Sequence, residues 1–188
     1  QRDNRRRVAR WAAGRRMLSG YCYSGAFEVI AAQAGATEIV GLDTSEPALA
    51  AARRHHELNH TAVPVHYMRA DVPMALRRFR DEGRTFDLIV LDPPKFAVHR
   101  GQLDRALRAY KDINLLAIKL LTPGGVLATF SCSGLVSADM FSDMLRWAAA
   151  DSGRDVRILE RLGQPFDHPV LATCPETGYL TGALAIVD

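Results

Sequence analysis

Leu88-Ile89-Val90-Leu91-Asp92-Pro93-Pro94-Lys95-Phe96 is the stretch on which the reading of this chain turns. Its first four residues are apolar and rich in branched side chains. They are too few for a free-standing helix and suit a parallel strand buried on both faces. Asp92 ends that run, and two prolines come directly after it. Proline fixes φ and offers no N–H, so the chain leaves the sheet in a stiff, extended loop with free carbonyl acceptors. In open α/β sheets ligands sit beyond the carboxyl ends of the strands, which places Asp92 where chemistry is expected. A plainer reading remains open, in which Pro-Pro ends a strand and Asp92 caps the next segment.

On either side of it, the same strand-to-helix alternation repeats. Arg16–Tyr21 reads as a first strand, broken at Tyr23-Ser24-Gly25-Ala26, with Phe27–Ala34 at helical spacing and Gly35 as its stop. Glu38–Leu42 is a second strand ending in Asp43. Thr44-Ser45-Glu46-Pro47 then supplies a helix cap with proline just inside it, ahead of the Ala-rich helix Ala48–Leu58. Val65–Met68 is a third strand closing at Asp71, and Val72–Asp81 a helix with Met74, Leu76 and Phe79 for its buried face. Phe86–Leu91 is the fourth strand. A long helix over Leu103–Leu121 and the turn Thr122-Pro123-Gly124-Gly125 lead to a fifth strand, Val126–Phe130. Ser137 caps a helix to about Asp151, and Val156–Leu162 and Tyr179–Val187 are two strands joined by the loop Gln164–Thr177. Gln1–Arg15, Arg-rich with Val8, Trp11 and Ala12 on one side, reads as a lead-in helix or a solvated basic face. The pattern predicts an α/β fold, a doubly wound, mostly parallel seven-stranded sheet with an antiparallel C-terminal strand.

Composition bounds the function classes. At 188 residues a single domain is expected, and 48% hydrophobic with 24% charged residues is ordinary for a globular protein. No apolar run approaches the ~20 residues that cross a bilayer. Cys22, Cys132 and Cys174 form no disulfide framework or CxxC pair, so no metal site is expected and a reducing cytoplasm fits. A net charge of +3 permits an anionic partner without demanding one.

The strand ends carry the candidate chemistry. The first turn holds Gly25 but no GxGxxG, which disfavours a nicotinamide dinucleotide. A glycine there lets backbone approach a ligand closely. Asp43 is placed to accept from both hydroxyls of a ribose, with helix capping as the alternative. Asp71 suits an exocyclic amine of adenine. Gly25, Asp43, Asp71 and Asp92 thus put one feature at each of four strand ends, as an adenosine lying across a sheet edge requires.

That arrangement resembles class I S-adenosylmethionine-dependent methyltransferases. YCYSGAF (Tyr21–Phe27), LDTSEPAL (Leu42–Leu49), LDPPKF (Leu91–Phe96), YKDINLLAIKLL (Tyr110–Leu121), FSCSGL (Phe130–Leu135), DHPV (Asp167–Val170) and YLTG (Tyr179–Gly182) are similar to the catalytic domain of bacterial 23S ribosomal RNA cytosine-5 methyltransferases. The resemblance spans essentially residues 1–188. It implies an RNA-binding domain of the PUA type and a β-hairpin on the N-terminal side of QRDNR (Gln1–Arg5). It further implies S-adenosyl-L-methionine as cofactor, leaving as S-adenosyl-L-homocysteine, and ribosomal RNA as substrate; a homodimer is one arrangement open to it. Tyr23, Ser24, Gly25, Asp43, Thr44, Ser45, Asp71, Asp92 and Pro93 are the expected cofactor residues, and Pro94, Lys95 and Phe96 the expected substrate residues.

Cys132 and Asp92 are the expected catalytic pair. Cytosine C5 is a poor nucleophile until a thiolate adds at C6, and Cys132 directly follows the fifth strand. Asp92, protonated or bonded to N3, would stabilise charge in the ring, a task for a carboxyl of raised pKa. Lys95 would lower the thiol pKa, bind a phosphate or face solvent. Cys132 as a buried structural cysteine is the alternative, and with it methylation of a nucleobase amine, or a cofactor-binding module inactive by itself. Cys22 reads as packing, Tyr23 and Phe27 as core rather than stacking platforms, and His168 as a loop residue rather than a pocket wall. Gly20 departs from the bulkier or polar residue that relatives often carry there, which is expected to loosen the methionine pocket. Pro94 and Lys95 stand where some relatives carry a second cysteine for product release.

Overall fold

In the computed structural model, which describes residues 1–188, the run Phe86–Leu91 is the middle strand of one sheet. In chain order the elements are α1 (Arg2–Ala9), β1 (Arg16–Gly20), α2 (Ala26–Gln33), β2 (Glu38–Asp43), α3 (Glu46–Leu58), β3 (Val65–Arg69), α4 (Val72–Asp81) and β4 (Phe86–Leu91). They continue with α5 (Leu103–Leu120), β5 (Leu121–Ser131), α6 (Ala138–Ser152), β6 (Val156–Leu162) and β7 (Thr181–Val187). The seven strands order as β3-β2-β1-β4-β5-β7-β6. β1 to β5 pair in parallel, and β7 runs antiparallel between β5 and β6. The order reverses between β1 and β4, so the crevice expected at such a reversal opens between Gly20 and Leu91.

Strand residues alternate between two cores, as a two-residue period requires. Leu18, Ile89 and Leu91 pack under α4, α5 and α6 with Leu76, Phe79, Tyr110 and Met144. Met17, Leu88 and Val90 pack on the opposite face with Val8, Phe27 and Ala31 of the N-terminal helices. Both faces of β4 are therefore covered, which is why its sequence reads as an unbroken apolar run.

Helix starts follow the capping chemistry in the sequence. Ser45 accepts from the Ala48 N–H, Asp71 from Met74 and Ser137 from Met140. Such a cap contributes about 1 kcal/mol. Several expectations are corrected. The lead-in helix ends at Ala9, although Val8 and Ala12 are both buried. Met74 is 70% exposed, because α4 turns Val72, Ala75, Leu76 and Phe79 inward instead. β5 begins at Leu121, running through the Pro-Gly-Gly segment with a register shift opposite Phe86 and Leu88. The last strand begins only at Thr181. Gly20 opens no extra room: a Cβ there would meet Val72 Cγ1 at 2.9 Å and Leu91 Cδ2 at 3.0 Å. Neighbouring apolar side chains fill the space.

Candidate active site

The carboxyl ends of β1 to β5 surround a cavity of about 1010 Å³. Asp43, Thr44, Asp71, Asp92, Pro93, Pro94, Phe96 and Cys132 line it, with Tyr21 and Tyr23 at the β1 turn. Four features expected at four strand ends thus give three carboxylates on one cavity. The fourth, Gly25, is not on its wall. Its φ of 78° is left-handed, and a Cβ would meet the Tyr67 hydroxyl at 2.7 Å and Ala52 Cβ at 2.9 Å. Glycine is needed there for packing against α3 and β3. Ser24 and Ser45 are likewise off the lining; Ser45 is occupied as the α3 cap.

Asp43 is held by backbone. Its Oδ2 accepts from the Tyr23 N–H and its Oδ1 from the Ser45 N–H, both at 2.9 Å. Each oxygen keeps a lone pair for a further donor. Asp71 spends Oδ1 on the Met74 N–H at 3.0 Å, and its Oδ2 takes no bond from the chain. Tyr21 and Tyr23 both adopt positive φ, 64° and 48°. A non-glycine residue in that region costs about 1–3 kcal/mol, which the surrounding structure must offset. The turn lifts the Tyr23 ring out of the core: it is 71% exposed, against the expectation of a core residue, while Phe27 is buried.

On the other flank the Pro-Pro loop is braced by aromatic rings. Phe96 lies 4.6 Å from Tyr110 and 6.2 Å from Tyr21, centroid to centroid. Ser133 Oγ donates to the Ala97 carbonyl at 2.9 Å, tying the loop to the end of β5. Cys132 lies between these anchors, half-buried on the cavity wall, and its thiol donates to the Pro93 carbonyl at 3.4 Å. The proline carbonyl left free by the loop therefore takes the thiol hydrogen. Burial pushes the Cys132 thiol up, and the Asp92 carboxylate adds to that. Lys95 pulls it down, but more weakly. The expected net lowering by Lys95 is thus reversed, because the ammonium is exposed, off the cavity wall and 5.5 Å over the Tyr179 ring.

Burial also raises the Asp92 carboxyl, opposed by a hydrogen bond from Gln1 and by the Arg5 charge. Gln1 Nε2 donates to Asp92 Oδ1 at 2.8 Å, while Oδ2 takes no bond from the chain. Sequence reasoning missed Gln1 as a wall residue, along with Gln164, Pro165, Tyr179 and Leu180. Gln164 Oε1 accepts from the N–H groups of Tyr179 and Leu180, folding the β6–β7 loop onto the cavity. His168, expected as a loop residue, also lies on the wall. Three further groups stand apart. Cys22 is buried beneath the first turn, and the Cys174 thiol reaches Glu176 at 3.3 Å. Glu28, on α2, is fully buried with neither oxygen hydrogen-bonded, and burial pushes it up to about 7.

Acceptors at the β2 and β3 ends suit the hydroxyls of a ribose and an exocyclic amine, and Tyr21, Val72 and Pro73 give an apolar bed for a purine. A thiol and a carboxyl of raised pKa face the same space from the β4 and β5 ends. Such an edge defines a class I transferase fold that takes a nucleoside cofactor beside a second, reacting molecule. Residues 1–180 match the family model of the S-adenosylmethionine-dependent methyltransferases. The chain belongs to that family, and S-adenosyl-L-methionine is its cofactor.

Ribosomal RNA large subunit methyltransferase I of Shewanella frigidimarina is 50% identical over 188 residues, covering 100% of this chain and 47% of that protein. Its counterpart in Erwinia tasmaniensis is 49% identical over 183 residues, covering 97% and 46%. The chain thus spans about half the length of the curated relatives it matches. Among solved structures, a SAM-dependent methyltransferase from Streptococcus mutans superposes with a TM-score of 0.87 at 22% identity, covering 99% of this chain and 48% of that one. A methyltransferase complexed with S-adenosylhomocysteine gives 0.86 at 22% identity, covering 99% and 49%. At that identity the likeness speaks for the fold. No helix is long and apolar enough to cross a membrane.

Proposed function

We propose that this chain is the catalytic part of an enzyme that methylates C5 of a cytosine in large-subunit ribosomal RNA through a covalent adduct at Cys132. The RNA assignment draws on the names of relatives at 50% identity. The observation that carries the chemistry is that Cys132 and Asp92 share one cavity wall with the carboxylates suited to the cofactor.

Asp43 and Thr44 would hold the ribose, Asp71 the adenine amine, and Tyr23 the open side of the nucleoside. The bound cofactor supplies the methyl group, leaving as the neutral thioether. Cys132, once deprotonated, adds through sulfur to C6 of a cytosine inserted beside the Pro-Pro loop, and the C5–C6 electron pair becomes available at C5. Asp92, carrying a proton on the oxygen that faces the ring, donates to N3 as that charge develops. After methylation a base removes the C5 proton, the C5–C6 double bond re-forms, and the Cys132 thiolate leaves. Pro94 and Phe96 would bound the pyrimidine, with Lys95 outside, where it meets a phosphate. RNA affinity would come mainly from an N-terminal RNA-binding domain, so the separated domain is expected to bind cofactor and hold RNA poorly.

Replacing Cys132 by Ala tests this. 5-Methylcytosine in the product RNA, read by nucleoside mass spectrometry, should vanish, while S-adenosylhomocysteine affinity by calorimetry stays at the wild-type value. Methylation retained by Cys132→Ala would move the assignment to a nucleobase amine.

A further inference from the structure

Asp92 can serve the ring only if one of its two oxygens is reserved for it, and β4 itself does not decide which. The selection comes from the other end of the chain. Gln1 Nε2 donates to Asp92 Oδ1 at 2.8 Å. Gln1 Oε1 accepts from Asn4 Nδ2 at 2.8 Å, and the same Asn4 nitrogen donates to the Gly163 carbonyl at 2.9 Å. Asn4 is 1% exposed, so water does not compete for it.

The polarity of this relay is set at its far end. A backbone carbonyl can only accept, so Asn4 must turn its NH₂ group toward Gly163 and Gln1. Gln1 must then present its carbonyl oxygen to Asn4, which leaves its NH₂ for Asp92. Flipping either amide would set donor against donor or acceptor against acceptor.

We infer that Gln1 is the positioning residue for Asp92: its amide claims Oδ1, leaving Oδ2 as the oxygen that meets the pyrimidine, with Asn4 and the Gly163 carbonyl fixing the sense of that bond. The inference rests on the reading of Asp92 as the acid that serves the ring. A proton on Asp92 sits on Oδ2, because one on Oδ1 would confront the Gln1 hydrogen. The β6–β7 loop enters the same relay through Gly163, so the wall that carries Gln164 and His168 is coupled to the carboxyl it faces.

The charged and titratable groups facing Asp92 are Arg5 from the α1 side, Glu28 from α2, Tyr110 from α5 and Cys132 beyond β5. The Gln1 bond and Arg5 favour the carboxylate, whereas burial favours the acid. Removing the amide therefore raises the Asp92 pKa as well as freeing its rotation. The working form needs Asp92 protonated and Cys132 ionised. With the carboxyl titrating below the thiol, the rate climbs with pH only as far as the carboxyl pKa, so the acid limb reports Asp92.

The test is made in the full-length protein with Gln1→Ala and Gln1→Glu, beside Cys132→Ala. The expected result is a fall in kcat of roughly 10- to 100-fold from misorientation, with the RNA KM and S-adenosylhomocysteine affinity unchanged. The acid limb of the pH profile moves to higher pH in Gln1→Ala and further in Gln1→Glu, whose carboxylate offers only acceptors. A wild-type kcat and profile in Gln1→Ala, with Cys132→Ala inactive, overturns this inference alone. Cofactor affinity lost in step with activity also overturns it, since Gln1 would then be serving the fold. Full activity in Cys132→Ala overturns it together with the covalent reading.

Discussion

The two flanks of the cavity are built in different ways. At the β2 and β3 ends, Asp43 and Asp71 are tied down by nearby backbone: Ser45 is two residues away, Met74 three and Tyr23 twenty. At the β4 and β5 ends, the corresponding bonds join residues far apart in the chain. Cys132 reaches Pro93 across 39 residues, Ser133 reaches Ala97 across 36, and Gln1 reaches Asp92 across 91. The cofactor flank thus rests on two local turns and one contact between the ends of neighbouring strands β1 and β2. The reacting flank exists only once the whole sheet has assembled.

That contrast sets what each substitution should do, and the reacting flank should show the largest effect. Asp92→Asn keeps the shape but cannot donate an acidic proton. Single-turnover methylation should fall by roughly 10²- to 10⁴-fold, with cofactor affinity by calorimetry little changed. If both fell together, the division of labour between the flanks would be lost. On the cofactor flank, Asp43→Ala removes charge-assisted bonding to the ribose, taken together as about 1.5–3 kcal/mol. Cofactor affinity should weaken roughly 10- to 150-fold by that measure. The rate at saturating cofactor should move much less.

The smallest effect concerns stability beneath the cofactor flank. Glu28 titrates near 7 in the fold because of burial, above its ordinary value of 4.5. The native state therefore holds a proton that the unfolded chain has released, and stability falls as pH rises between those values. Above them the loss is complete. Glu28→Gln should flatten this dependence, so that melting temperatures at pH 5 and 8 differ less than in the wild type, by a few degrees at this chain length. An unchanged slope would assign the dependence to other groups.

The same contrast explains what could be read in advance. Val72–Asp81, Phe86–Leu91 and Val156–Leu162 have the bounds that their residue patterns imply, because capping and periodicity are local. Asp43, Asp71, Asp92 and Cys132 reach one cavity because each sits at a strand end, and strand ends of a parallel sheet share an edge. Helical spacing misplaces Met74, because it gives a face but not its rotation against the neighbour. Gly25 reads as a ligand contact, yet its missing Cβ makes room for Tyr67 and Ala52. Gln1, Gln164 and Tyr179 carry no local signal: polar residues before a helix and in a loop gain their place only from tertiary contacts. The net direction of the Cys132 shift is hidden for a related reason. Proximity in sequence says nothing of how exposed the ammonium is, or how buried the thiol.

The central claim is that the Cys132 sulfur bonds to the base. RNA carrying 5-fluorocytosine tests it most directly, because fluorine at C5 cannot leave as a proton and the adduct should persist. Incubation of the full-length protein with that RNA and S-adenosyl-L-methionine, then digestion and peptide mass spectrometry, should give a nucleotide attached to the peptide containing Cys132. A nucleotide on Cys22 or Cys174, or methyl transfer with no protein–RNA adduct, would contradict the account.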